Sequence, residues 1–168
     1  MRAKRGWAKR GNSFYARKPP KSKNYSVISA LDSNGMLGIK IVRGGVKGPE
    51  FIAFMFDLCK GEEERLSKKK VVFLMDNASI HRSKLFMGKV VKYYNVIYNA
   101  PYTPQFNPIE LSFSKIKYIV RKLRPRTEKD LAQKILETCN MITAQDCCEF
   151  IVHSLSFIEN AIAKEDFY

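Results

Sequence analysis

Val71-Val72-Phe73-Leu74-Met75 is apolar at every position, and it stops abruptly at Asp76-Asn77. A strand with no polar face has nothing to turn toward water, so both of its faces must be covered. The run is therefore expected to be a central strand with helices above and below it, which places the chain in the α/β class. The 168 residues allow one core and leave little room for two. An apolar share of 45% and an aromatic share of 12% exclude a disordered chain.

Two β-rich runs, over 25–31 and 36–42, flank Asp32-Ser33-Asn34-Gly35, a strong hairpin turn. After Gly48-Pro49, the residues Phe51, Ile52, Met55, Phe56 and Cys59 recur at helical spacing. A helix is expected near 82–93, then a short strand around VIYNA, then the proline-rich loop PYTPQFNP. Asn107-Pro108 opens the best helix of the chain, with Asn suited to the N-cap and Pro to the first helical position. Its apolar face is Ile109, Phe113, Ile116, Val120 and Leu123. Two further helices are expected near 128–141 and 145–163. The organisation is then a basic arm or edge hairpin over 1–24, a core over 25–126, and a helical extension of the same domain over 127–168.

The charge is lopsided. The chain carries a net +14, and residues 1–23 hold nine of its 30 basic side chains and no acid. Such an excess points to an anionic partner, with nucleic acid ahead of an acidic membrane surface. No apolar run is long enough to span a membrane, and no apolar secretion signal opens the sequence. Cys59, Cys139, Cys147 and Cys148 form no CxxC pair. They read as reduced thiols of a protein that is not secreted. Nuclear residence is expected for a eukaryotic chain, cytoplasmic residence otherwise.

Between Arg65 and Thr127 there are 14 Lys or Arg residues and only two acids, Asp76 and Glu110. Asp76 ends the central strand, where open α/β sheets bind ligands. Glu110 lies in the first turn of the basic helix. Two carboxylates brought together there can hold a hard divalent cation such as Mg²⁺, with Mn²⁺ as substitute, for phosphodiester chemistry. Each also has an ordinary explanation. Glu110 occupies the capping-box position three residues after Asn107, and Asp76 can close an Asx-turn. Asn77 and His81 are candidate site supports, or else turn and surface residues. Lys115, Lys117, Arg121, Lys122 and Arg124 are candidate DNA-backbone contacts, or else a solvated helix face. Tyr102, Pro104 and Phe106 are expected to shape their loop rather than to stack on bases. Trp7 belongs to the arm or anchors the sheet edge, and His153 lies on an expected core helix and is assigned no function.

MDNASIHRS followed by NAPYTPQFNPIELSFSKIK resembles the catalytic domain of mariner-type DDE transposases, which are ribonuclease-H-like relatives of the retroviral integrases. RGWAKRG, the VISALDSNGMLG hairpin and the FIAFMFDL helix extend the likeness over most of residues 5–125. The resemblance implies a ribonuclease-H-like mixed sheet flanked by helices, with extra C-terminal helices. It also implies metal-dependent cleavage and strand transfer at transposon ends, acting on those ends and on target DNA. A homodimer is compatible with it. Asp76 matches the second acid of the family's triad and Glu110 the third. The first acid ends a strand upstream of the RGWAKRG-like segment, so it is expected before Met1, in an N-terminally truncated domain. Asp32 is no substitute, since it belongs to a hairpin turn. The competing expectation is a catalytically inactive DNA-binding remnant, and a basic RNA-binding protein is a distant third.

Overall fold

The fold is a computed structural model that describes Arg10 and residues 24–61 and 71–164. Apart from Arg10 and Asn24, the basic arm, with Trp7 and RGWAKRG, lies outside the described residues.

The Asp32 turn sets the first element. Asn34 donates its backbone N–H to Asp32 Oδ1 at 2.8 Å, and Gly35 takes a φ of +134° that a side chain would resist. Strands β1 (Tyr25–Asp32) and β2 (Gly35–Arg43) pair antiparallel across it. Ala30 pairs with Gly38 and Leu31 with Met36, so Leu37 is an extra residue in β2. This bulge inverts the in–out alternation at one point. Met36 joins Ile39 and Ile41 on one face, while Leu37 joins Val42 on the other.

Helix α1 (Gly48–Gly61) packs on the Leu37 face through Phe51, Ile52, Phe54, Met55, Leu58 and Cys59. Phe56, expected on this buried stripe, points outward instead, and Phe54 and Leu58 fill the contact. A β-carbon at Gly38 would sit 3.1 Å from Leu58 Cδ1. The glycine is what lets α1 come so near the hairpin.

Strands β3 (Val72–Met75) and β4 (Asn95–Tyr98) form a parallel pair. The crossover is not the single helix expected near 82–93. It is a 3₁₀ turn (Ser79–Arg82), a short helix α2 (Lys84–Phe86) and a π turn (Met87–Val91). Ser83 breaks the run with extended backbone, and its Oγ accepts the Phe86 N–H at 3.2 Å. Phe86 and Val90 from this crossover are fully buried with α1, Ile28 and Met75 in the first core.

Helices α3 (Pro108–Leu123), α4 (Glu128–Asn140) and α5 (Ala144–Ala163) build a second core on the opposite face of the hairpin. Ile116, Val120, Ile135, Cys139, Ile142 and Cys147 meet Val27, Leu31, Ile39 and Ile41 there. Leu123, at the end of the α3 stripe, is exposed as the helix stops at Arg124 in the left-handed region. Thr143 and Asp146 form a reciprocal capping box at the start of α5. Among the described residues no helix is long and apolar enough to cross a membrane.

Among the described residues the two strand pairs are separate sheets, with no hydrogen-bonded ladder between β1 and β3. This corrects the reading of VVFLM as a strand covered on both faces. Phe73 and Met75 pack into the first core, but Val72 and Leu74 remain 48% and 44% exposed, and Ile97 on β4 57%. The second core is built on the hairpin, and its buried residues do not include a β3 or β4 side chain.

Candidate active site

The end of β3 is tied to the end of β4 by a small polar lattice. Asn99 donates its backbone N–H to the Met75 carbonyl at 2.8 Å, extending the parallel ladder past β4. Asn77 Nδ2 returns a bond to the Asn99 carbonyl at 2.6 Å. Asn77 is thus a brace between strand ends; its Oδ1 is buried with no hydrogen-bond partner among the described residues.

Asp76 does two things at once. Its Oδ1 accepts the Ala78 N–H at 2.9 Å, the Asx-turn expected at a strand end. The same oxygen lies 2.7 Å from His81 Nδ1, and the carboxylate remains 50% exposed. His81 is the buried partner, its side chain 15% exposed, with its ring 4.3 Å from the Phe51 ring. Its backbone carbonyl accepts the Tyr98 hydroxyl at 2.6 Å, which ties the main chain of the 3₁₀ turn to β4. His81 therefore fixes Asp76 against the first core.

Glu110 enters from the other direction. Asn107 is buried at the N-cap of α3, and its carbonyl accepts the Glu110 N–H at 3.1 Å. The Asn107 side chain makes no capping bond. The Glu110 carboxylate forms no hydrogen bond or ion pair among the described residues. The capping-box explanation of this acid therefore has no bond behind it. Asp76, His81, Asn107 and Glu110 all border one cavity of about 530 Å³, which runs between β1 and β3.

The loop between β4 and α3 is rigidly bonded. Asn99 Nδ2 donates to the Thr103 carbonyl at 2.6 Å, and Thr103 Oγ1 donates to the Ala100 carbonyl at 2.6 Å. At its apex Tyr102 is fully exposed and has a φ of +60°. A ring with no packing cannot shape the loop, contrary to the expectation for Tyr102. The hydrogen bonds around it hold a conformation that costs a tyrosine roughly 1–2 kcal/mol.

The five basic residues of α3 divide. Lys115 Nζ is paired with Asp146 at 2.5 Å, fastening α3 to the start of α5. The lysine is the main reason the Asp146 carboxyl is held below its ordinary range, with the Thr143 N–H adding to it. Lys117, Arg121, Lys122 and Arg124 are exposed, with Lys122 Nζ 4.3 Å over the Tyr118 ring. All four cysteines are free. Burial pushes the Cys59, Cys139 and Cys147 thiols up, which disfavours the nucleophilic thiolate.

Among the described residues no group of three or more His, Cys, Asp or Glu side chains converges to hold a metal ion. Asp76, His81 and Glu110 border the same space without meeting at one point. These residues alone do not amount to a metal centre.

A strand end bearing Asp76 beside a helix start bearing Glu110, in a mixed α/β fold, defines a class. Residues 1–132 match the model of the DDE superfamily endonucleases, and the chain belongs to that family. Its fold is the ribonuclease-H-like fold of the mariner transposase catalytic domain. The Mos1 mariner paired end complex with Mn has a TM-score of 0.77 at 16% identity, covering 98% of this chain and 51% of that one. A pre-cleavage Mos1 transpososome gives 0.78 at 16% identity, covering 98% and 52%. The catalytic domain of Mos1 mariner transposase gives 0.76 at 16% identity, covering 87% and 77%. This chain thus spans about half the length of the full Mos1 chains it matches. No curated protein sequence matches it.

Proposed function

We propose that this chain is part of the catalytic domain of a DNA transposase, acting in metal-dependent phosphodiester cleavage and strand transfer at transposon ends. The observation that carries this reading is the placing of Asp76 and Glu110, 34 positions apart in the chain (110 − 76), on the wall of one cavity. Among the described residues no hydrogen bond or ion pair accounts for the Glu110 carboxylate. Asp76 and Glu110 are the catalytic carboxylates in this reading, and His81 and Asn77 position the first of them. Mg²⁺ or Mn²⁺ is the cofactor it calls for, and the Mos1 structures named with Mn and Mg support that class of ion. A third ligand has to join the two acids before such an ion is held.

Lys117, Arg121, Lys122 and Arg124 contact the DNA backbone in this reading, and Lys115 does not, because Asp146 already neutralises it. Tyr102 presents a bare ring on the loop leading to Glu110, suited to stacking on an unpaired base. Transposon-end and target DNA are the proposed substrates, and a dimer is the proposed assembly, in line with the paired end complexes of Mos1.

The test is nicking of transposon-end DNA with Mg²⁺ or Mn²⁺, with a strand carrying a further carboxylate supplied. Asp76→Ala and Glu110→Ala should each abolish nicking while DNA binding survives. Undiminished cleavage by either variant sinks the assignment. The competing expectation, a catalytically inactive DNA-binding remnant, is not favoured by the match to the endonuclease family. That reading predicts salt-sensitive binding without cleavage even when the strand is supplied.

A further inference from the structure

Six polar side chains border the cavity that holds the two acids: Ser29, Asp76, His81, Asn107, Glu110 and Ser154. Ser29 Oγ and Ser154 Oγ are sealed from solvent, with no hydrogen-bond partner among the described residues. Asp76 already accepts the Ala78 N–H and faces His81 Nδ1. Asn107 differs from these four. The residue is 6% exposed, and its side-chain amide makes no hydrogen bond among the described residues. Its polar atoms are nevertheless not sealed off as the two serine hydroxyls are. What solvent reaches of Asn107 therefore includes its amide, and the amide opens on the cavity.

A buried amide without partners costs free energy. At an N-cap, Asn ordinarily recovers it by accepting an N–H of the first turn. Here only the backbone takes part, the Asn107 carbonyl accepting the Glu110 N–H at 3.1 Å. Pro108 brings no N–H, and the Ile109 N–H has no carbonyl within the helix to reach. Ile109 borders the cavity too. The start of α3, a helix of 16 residues, thus turns two kinds of uncharged donor toward the cavity, at the positive end of its dipole.

Such donors suit an anionic oxygen, and the neighbours decide which. Asp76 and Glu110 repel a dianion strongly. A phosphodiester carries a single charge, spread over two non-bridging oxygens. We infer that Asn107 is the phosphate-binding residue of this cavity: its side-chain amide, with the Ile109 N–H beside it, donates to a non-bridging oxygen of the phosphodiester to be cut. As phosphorus takes on a fifth oxygen, charge gathers on the non-bridging oxygens, and a donor already in place stabilises it. The link to cutting rests on the transposase reading; the binding of a phosphodiester does not.

The full 168-residue chain is titrated with dimethyl phosphate in Mg²⁺ buffer and followed by NMR of its side-chain amides. The Asn107 signals are identified by their loss from the spectrum of Asn107→Asp. They should shift and saturate with dimethyl phosphate, and stay still with trimethyl phosphate, which is of similar size and uncharged. Asn107→Asp keeps an equally good N-cap, so its denaturation midpoint should match that of the parent. Its nicking of transposon-end DNA, with the further strand supplied, should nonetheless fall about a hundredfold at unchanged DNA affinity. Asn107→Ala should lose nicking to the same degree.

Asn107 signals that ignore dimethyl phosphate, or follow trimethyl phosphate equally, overturn the assignment. So does full nicking by Asn107→Asp, which would make the residue a helix cap only. A midpoint that falls together with the nicking would make it structural and equally overturn the proposal. If the parent chain itself never nicks, the transposase reading falls, and the dimethyl phosphate titration still decides Asn107 by itself.

Discussion

The β1–β2 hairpin is the less apolar of the two strand pairs in sequence, yet it is the one the fold covers on both faces. The hairpin is sandwiched, with α1 on one face and α3, α4 and α5 on the other. The parallel pair is covered on one face only, and Val72, Leu74 and Ile97 face outward from the other. Burial on both faces is a property of position in a layered fold, and a hydrophobic run states only the need for it.

The sharpest way to break this comparison is to truncate one side chain in each region. Ile28→Ala, in the first core, should cost about 3 kcal/mol. Leu74→Ala should cost less than about 1 kcal/mol, because half of its surface is already wet. Chemical denaturation of the two variants measures both, and equal losses would mean that β3 is covered after all.

Smaller effects probe the helical cover of the hairpin. Thr143→Ala removes the hydroxyl that accepts the Asp146 N–H at 3.1 Å, and should cost about 1 kcal/mol. Unchanged denaturation midpoints would show that the start of α5 does not hold the cover in place. Tyr102→Gly tests the bare loop at the other end of the molecule. It should raise stability by at most about 1 kcal/mol, because relief of the left-handed strain outweighs the added freedom of the unfolded chain. A loss of melting temperature would show that the ring packs.

The smallest effect is electrostatic. Asp146 has its folded pKa held down by Lys115, so its contribution is present above the ordinary carboxylate range. It is lost as pH falls through the lowered folded value. Asp146→Asn should therefore lower stability slightly at neutral pH, where the contribution is present, and flatten the acid limb of the stability curve. An unaltered acid limb would rule out the Lys115 pair as a fastening of α3 to α5.

Local rules made part of this readable. Asp32-Ser33-Asn34-Gly35 demands a hairpin because only its side chains and glycine suit the turn, and the strands fall where expected. Asn107-Pro108 starts a helix for reasons contained in two residues. The crossover after Asp76 was misread as one helix, since the apolar spacing around Leu85, Phe86 and Val90 cannot reveal that Ser83 would spend its hydroxyl on Phe86. The outward turn of Phe56 and the extra Leu37 in β2 were equally hidden, because each depends on which neighbour occupies the facing position. At the site, Asp76 and Glu110 stood out as lone acids on a basic stretch. The His81 contact with Asp76 gave no such signal beyond proximity in sequence, and the pairing of Lys115 with Asp146 gave none.

By itself the sequence determined the elements, the basic helix face and the two acids, all set by short-range propensity, periodicity and charge. Only the tertiary structure decided that Asp76 and Glu110 border one cavity, that Glu110 is not spent on a cap, and that Val72 and Leu74 of β3 stay exposed. Those facts depend on how elements far apart in the chain pack against one another. MDNASIHRS announces an acid at a strand end, and the contact of His81 with it is visible only once the crossover is packed against the first core.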